Sequence, residues 1–480
     1  MNLETNPSGL ARGWMVLLGG AMAGGLGWGI RGQYGHETGA MIAGLLVTSV
    51  LVMLLGGHLP WAVAARAMAL GTIAIGIGGS MTYGQTVGLT HDAELVGHLE
   101  SLRWGMVGLA VKGGIWIGFA GLFLGLGLGG QPLRPATLLG LGVVMLGLAW
   151  IGIQLFNEPF DPARRILPRI YFSDDWRWEP FANLKPRREV WGGLLLALVG
   201  AWFWVGIIQG NVLARRLTIW AFFGGAVGFP TGQSLQSFHA WNPEAFKSGF
   251  WLRLDPFMNW WNFMETTFGF IMGGVLGLGL WFNRRSIAAP PPAKEVRFQA
   301  PVEGVLLATH LTLLLLAEFS QVGIIGDLYD FGLVLALIPL VGVVGGRLWP
   351  AALLFPITLL PIAGKTVRQL VYRDAAVSDL PGWLALGVLP VAAAIVLCVR
   401  AQRWEKDHLM AVRPAAWSLL FAVGMYSALN FAFFRFPWPW TAWTARTPNA
   451  VVFTLFAVGL AALAWRALRN PGNVPANQET

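Results

Sequence analysis

Cysteine is almost absent: the 480-residue chain has one, Cys398, set in the apolar stretch from Pro390 to Val399. A single thiol excludes an internal disulfide, a cysteine-based zinc site and an iron–sulfur cluster, and Cys398 reads as a small core hydrophobe. Charge is scarce too. Asp, Glu, Lys and Arg make up 12% of the residues against 55% hydrophobic, and mean hydropathy is +0.59. That balance excludes a string of soluble domains. The formal charge of +9 does not point to nucleic acid, because the basic residues are scattered among apolar runs as flanking anchors. What remains is an integral membrane protein whose first partner is the lipid bilayer.

What the chain has in excess is Gly, at 63 residues, and Trp, at 25. Gly lets helix backbones touch or break, and Trp prefers the headgroup boundary. The expected fold is an all-α integral membrane protein, a Gly-rich bundle with some interrupted helices. At about 17 to 25 mainly apolar residues per span, helices are expected near 13–31, 38–56, 61–82, 103–129, 133–155, 190–209, 215–232, 260–282, 302–325, 329–345, 348–364, 382–400, 412–434 and 449–468. That is about fourteen, within a range of roughly 12–14. The first run is expected to be a span and not a leader. The short stretches 215–232, which contains Pro230, and 329–345 are candidates for interrupted or re-entrant helices.

With an even number of spans both termini share a side. Setting aside the long loop 156–189, Lys and Arg are more numerous on that side, which predicts cytoplasmic termini in the cell (inner) membrane. The Pro-rich segment 284–301 reads as a semi-rigid cytoplasmic linker between an N-terminal membrane unit, 1–283, and a C-terminal unit of about six helices, 302–469. Residues 470–480 read as a disordered tail.

Self-comparison organises the polar residues. Gly24-Gly25-x6-Gly32-Gln33 recurs as Gly224-Gly225-x6-Gly232-Gln233, with a looser copy at Gly78-Gly79-x4-Gly84-Gln85. Gln85 and Gln233 are each followed six residues later by a histidine, His91 and His239. Gly121, Gly125 and Gly127 then align with Gly273, Gly277 and Gly279, so the helix pair 61–129 is expected to repeat as 215–282. Each Gly-Gln motif is expected to close an outward-running helix, with Gly releasing the chain and Gln offering both a donor and an acceptor.

Three polar clusters follow on that outer level. The first is Arg31, Gln33, His36 and Glu37, wedged between two spans, where polar side chains are costly unless they meet each other, water or a ligand. The second runs from His91 and Asp92 through Glu94 to His98; on one helix the two histidines and Glu94 would share a face. The third combines Gln233, Gln236, His239, Trp241 and Asn242 with Trp261 and Asn262, aromatic planes alternating with amides as a polar or sugar-like ligand requires. Inside the spans lie Lys112, Glu265 and Glu318. Under the repeat alignment Lys112 and Glu265 occupy nearly equivalent depths, which suits a mutual ion pair or proton coupling. The loop 156–189 is long enough to serve as a lid. No metal or cofactor is expected.

The leading functional expectation is a secondary transporter of a small polar or sugar-like solute, bound near the outer face between repeats. The first alternative is an intramembrane transferase using a lipid-linked glycan or acyl donor, with Glu37, His36 or Asp92 as base. The second is a non-catalytic membrane subunit or sensor. A homo-oligomer is compatible with all three.

Overall fold

The computed structural model describes residues 12–132, 135–178, 186–290, 349–435 and 443–470, less positions 33, 35, 80 and 82, together with scattered positions between 305 and 325. The expected span 329–345, most of 302–325, most of the linker 284–301, nearly all of the tail, and the side chains of Gln33 and Glu318 lie outside the described residues. Ten helices are long and apolar enough to cross a bilayer among the described residues. The chain is an all-helical, multi-span membrane protein.

The N-terminal half comprises α1 (Gly13–Arg31), α2 (His36–Leu55), α3 (Trp61–Gly78), α4 (Gly84–His91), α5 (Leu99–Leu128), α6 (Pro135–Gly152), α7 (Trp191–Phe203), α8 (Val212–Trp241), α9 (Gly249–Leu254) and α10 (Trp260–Phe282). After the linker come α11 (Trp349–Val367), α12 (Leu389–Lys406), α13 (Val412–Phe433) and α14 (Thr447–Arg469). Four helices carry a wider π-helical turn at one end, at Ile153–Asn157, Trp204–Ile208, Arg368–Arg373 and Trp383–Val388.

Connections gather at two ends of the bundle. At one, Ala411 donates to the Leu59 carbonyl (2.9 Å) and Ala288 to the Leu128 carbonyl (3.0 Å). At the other, the loop 156–189 meets α4, and the Asn449 side chain donates to the Asn259 carbonyl (3.1 Å). Helices from both sides of the linker pack together: Phe453 and Phe456 of α14 lie against Gly29 and Gly25 of α1, and Val412 of α13 against Gly57.

Two expectations about helix ends are corrected. The stretch 215–232 is neither short nor interrupted; α8 runs 30 residues through Pro230 to Trp241. Pro230 removes one backbone donor, and packing against α5 and α10 carries the helix on through it. Gly232-Gln233 therefore lies inside a helix and does not close one. The real interruption falls elsewhere, where α3 ends at Gly78 and the chain restarts at Gly84 as the short helix α4.

Glycine sets the helix spacing. A Cβ added at Gly20 or Gly24 would meet the carbonyls of Gly273 and Gly269, and one added at Gly225 would meet the carbonyl of Gly113. In a bilayer, where apolar side chains gain little by leaving lipid, such backbone approach is a main source of helix–helix attraction. Gly24→Val is expected to destabilise the protein by about 2 kcal/mol or more, because the α1–α10 contact is already closed. Gly140→Ala, with open space around it, is expected to be neutral. Thermal melting of both variants in detergent checks the contrast.

Candidate functional site

The α3–α4 interruption faces the end of α1 and the start of α10, and these three places build a buried polar cluster. α1 ends on Arg31, a cation at the negative end of a helix dipole. Tyr83 precedes α4. Glu265 lies six residues into α10, about 8 Å along the axis at 1.5 Å per residue. Arg31 is 3% exposed and Glu265 2%. Arg31 Nη1 donates to Glu265 Oε1 at 3.0 Å and also to the Tyr83 hydroxyl. That hydroxyl in turn donates to the same Oε1 at 2.6 Å, and Trp261 Nε1 approaches it at 3.3 Å. Three donors thus converge on one carboxylate oxygen.

The other oxygen is different. Glu265 Oε2 is buried and has no hydrogen-bond partner among the described residues. It points at the α1–α2 turn, where a Cβ placed on Gly32 would come within 2.9 Å of it. Glycine at position 32 leaves room for that carboxylate.

Aromatic rings enclose the cation. The Arg31 guanidinium carbon lies 5.0 Å from the Trp28 ring centroid, 4.9 Å from Tyr83 and 5.3 Å from Trp116. Phe229 and Phe268 stack behind them with centroids 4.6 Å apart. The buried Asn262 amide donates to the Gly29 carbonyl, tying α10 to the last turn of α1. Arg446, just before α14, lies within Coulombic reach of Glu265 and of the Tyr34 hydroxyl. Burial lowers the affinity of Arg446 for its proton, and those two groups act against the shift.

A second buried cluster is built on Lys112, and its partner is not Glu265. Lys112 Nζ donates to Glu189 Oε1 at 2.6 Å and to the Thr86 hydroxyl at 2.7 Å. Glu189 also accepts from the Ser173 hydroxyl (2.8 Å) and the Phe172 amide (3.0 Å). The expected Lys112–Glu265 pair is thus replaced by two separate pairs, because the loop 156–189 inserts its own carboxylate. Further contacts seat this loop on α4 and α5. Gln85 donates to Asp174 (2.9 Å), Trp104 Nε1 donates to the Tyr171 carbonyl (2.7 Å), and Trp178 packs on Leu89 and Leu95. Burial and the nearby Glu189 charge push the Tyr171 phenol well above its ordinary range, and it stays a neutral donor to the Arg187 carbonyl.

The remaining residues singled out by sequence do not share one site. Gln233 donates to the Thr90 hydroxyl (2.7 Å) and Trp241 Nε1 to the Thr90 carbonyl (2.9 Å), so both brace α4. Gln236 is buried nearby on α8. His239 contacts Asp255 at 2.9 Å and stacks on Trp260 with centroids 4.5 Å apart, at the surface end of α8. Asn242 is exposed and donates to the Phe238 carbonyl of its own helix. His91 ends α4, with its ring 6.1 Å from Trp261, and Asp92 beside it is exposed. Glu94 occupies a separate 3-10 turn and His98 caps α5, so the expected single face formed by His91, Glu94 and His98 does not exist. His36 and Glu37 open α2, but their side chains lie outside the described residues.

Sequence reasoning missed Tyr83, Trp28, Trp116 and Glu189. Tyr83 adjoins the Gly84-Gln85 motif, a signal that was available. The other three have no local signature.

These features define a multi-pass α-helical membrane protein with a charged, aromatic-lined centre at a helix interruption. No protein-family model matches the chain, and no curated protein matches it. Among solved structures, a manganese transporter of Eremococcus coleocola, crystallised with an aromatic bis-isothiourea substituted compound, is 14% identical over 100% of this chain and 94% of that one, with a TM-score of 0.18. A superposition at that level does not establish a common fold.

Removing one partner of the Lys112–Glu189 pair strands a buried charge, which costs about 3 to 5 kcal/mol. Lys112→Met is therefore expected to lower the melting temperature strongly and to open the loop 156–189 to protease. Lys112→Met combined with Glu189→Met is expected to be less damaging than either single change; limited proteolysis and melting of the three variants check the order.

Proposed function

We propose that this chain is a secondary transporter of a small polar solute, coupled to protons through Glu265. The observation that carries this reading is the uneven carboxylate, with Oε1 receiving three donors and the buried Oε2 none among the described residues. An ionised carboxylate inside a bundle is costly unless paired, and here its pairing rests on one oxygen. A proton added at Oε2 neutralises Glu265 while Tyr83 and Trp261 keep donating to Oε1. Protonation removes the ionic part of the contact between Glu265 and Arg31. Proton loading at Glu265 in this way loosens the tie between α1 and α10, with α4 and the Gly32 turn as the backbone that can shift in response.

Other features support the reading. The proposed repeat equates Lys112 with Glu265, and each anchors a buried ion pair. Within a residue it also equates the contact of α1 on Gly273 with that of Ala221 on Gly121. A site between such repeats, near an interrupted helix, suits alternating access. We assign the loop end of the bundle to the outer face and the termini to the cytoplasm, following the Lys and Arg bias of the connections.

Proteoliposomes with an imposed pH gradient test the coupling, using labelled hexoses, amino acids and small carboxylates as solutes. The wild-type protein is expected to accumulate one of these classes. Glu265→Gln is expected to abolish gradient-driven accumulation while leaving solute counterflow. Accumulation that persists unchanged in Glu265→Gln would remove the coupling role.

A further inference from the structure

We propose that the loop 156–189 holds the headgroup of an anionic phospholipid on Arg165, Arg169 and Arg187, at the membrane boundary beside α6 and α7. This surface is separate from the Arg31–Glu265 centre, and the inference goes beyond the transporter reading without resting on it.

The first ground is charge left over within the loop. It exposes Arg164, Arg165, Arg169, Arg177, Arg187 and Arg188. Arg164 is neutralised by Asp161 at 3.4 Å, Arg177 by Asp175 at 2.6 Å and Arg188 by Glu158 at 2.9 Å. Arg165, Arg169 and Arg187 have no ion pair among the described residues, and the neighbouring carboxylate of Glu189 is buried against Lys112. The loop folds these three onto one knot. The Arg187 amide donates to the Tyr171 hydroxyl and the Arg187 carbonyl accepts from it, both at 3.0 Å, two residues beyond Arg169. The Phe160 ring lies 6.4 Å from that of Tyr171, and Arg165 occupies the corner of the adjoining turn, which Asp161 and Ile166 close with two backbone bonds of 2.9 Å.

The second ground is position. The loop leaves the bundle at the end of the span Gly140–Asn157, which is mostly exposed, and rejoins it at Trp191 of α7. The outward side chains of that span, Leu146 (66% exposed), Trp150 (66%) and Leu155 (65%), are apolar, as a lipid-facing surface is. Glu158 follows directly and pairs with Arg188, so the basic surface begins where the lipid-facing one ends, at headgroup level. Exposed Ile166, next to Arg165, adds an apolar contact that a soluble anion would not use. The planar guanidinium fork matches phosphate oxygens, and a zwitterionic headgroup brings its own ammonium, which cancels part of the attraction. The third ground is rigidity. Glu189 on Lys112 (2.6 Å) and the Tyr171 carbonyl on Trp104 (2.7 Å) fix both arms of the loop, so a headgroup binds arginines already in place and little ordering is lost.

The test is equilibrium binding of labelled phosphatidylglycerol to the full-length protein in a non-ionic detergent. The competitors are unlabelled phosphatidylglycerol, phosphatidylcholine with the same acyl chains, and inorganic phosphate. Phosphatidylglycerol is expected to displace the label, phosphatidylcholine to do so far less well and inorganic phosphate hardly at all, and binding is expected to weaken as salt rises. Each arginine removed is expected to lower the affinity about fivefold, so the triple variant Arg165→Gln, Arg169→Gln, Arg187→Gln loses roughly a hundredfold. Its melting temperature in lipid-free detergent is expected to match the wild type, because all three side chains are exposed. Arg285→Gln, an exposed arginine at the opposite end of the bundle, is expected to bind as the wild type does. Phosphatidylcholine competing as well as phosphatidylglycerol, or binding indifferent to salt, overturns the inference on the wild-type protein alone. Displacement by inorganic phosphate overturns it in favour of a soluble anion, and unchanged binding by the triple variant removes these arginines from the site.

Discussion

The pairing of Arg31 with Glu265 inside the helix bundle is the constraint on which the rest of this structure turns. Neither charge is tolerable alone at that depth, so the end of α1, the start of α10 and the chain before α4 must meet within hydrogen-bond distance. That demand explains why α1 and α10 touch backbone to backbone along Gly20, Gly24, Gly269 and Gly273. A larger residue at any of these positions would push Glu265 away from Arg31. Close packing and the polar centre are one design, because the glycines bring the helices near enough for the side chains to pair.

The Lys112–Glu189 pair does for the loop what Arg31–Glu265 does for the helices. It draws a segment outside the spans down onto α4 and α5, and Thr86, Ser173, Gln85 and Asp174 extend the contact along α4. Because Tyr83 stands immediately before α4, whatever holds α4 also holds one of the three donors on Glu265. Gln233 and Trp241 brace the same helix from α8 through Thr90. α4 is therefore the shared part between the loop, the α8 wall and the charged centre.

Legibility from sequence varied with range. Apolar runs of span length are local, so most helices could be placed within a few residues; Lys112 and Glu265 stood out because an ionisable group in an apolar run is conspicuous, and Arg31 because it opens a polar turn between two spans. The partners did not. Arg31 and Glu265 are 234 residues apart and Lys112 and Glu189 are 77 apart, and charge alone matches any cation with any carboxylate at the same depth. The continuation of α8 through Pro230 was misread for a related reason: proline propensity is local, whereas the packing on α5 and α10 that overrides it is not. The Gly-Gln repeat drew attention to the right elements and assigned them the wrong common role, since Gln85 faces Asp174, Gln233 faces Thr90 and His239 faces Asp255.

The sequence by itself determined that this is a membrane chain of many helices with Gly-based packing and a few buried charges. Composition and the length of apolar runs decide partition into the bilayer regardless of how the helices are later arranged. Only the tertiary structure decided which charges neutralise each other, that a tyrosine and three tryptophans enclose the centre, and that one carboxylate oxygen is saturated while the other has no partner among the described residues. Those outcomes depend on distances between side chains far apart in the chain, and helix packing sets them.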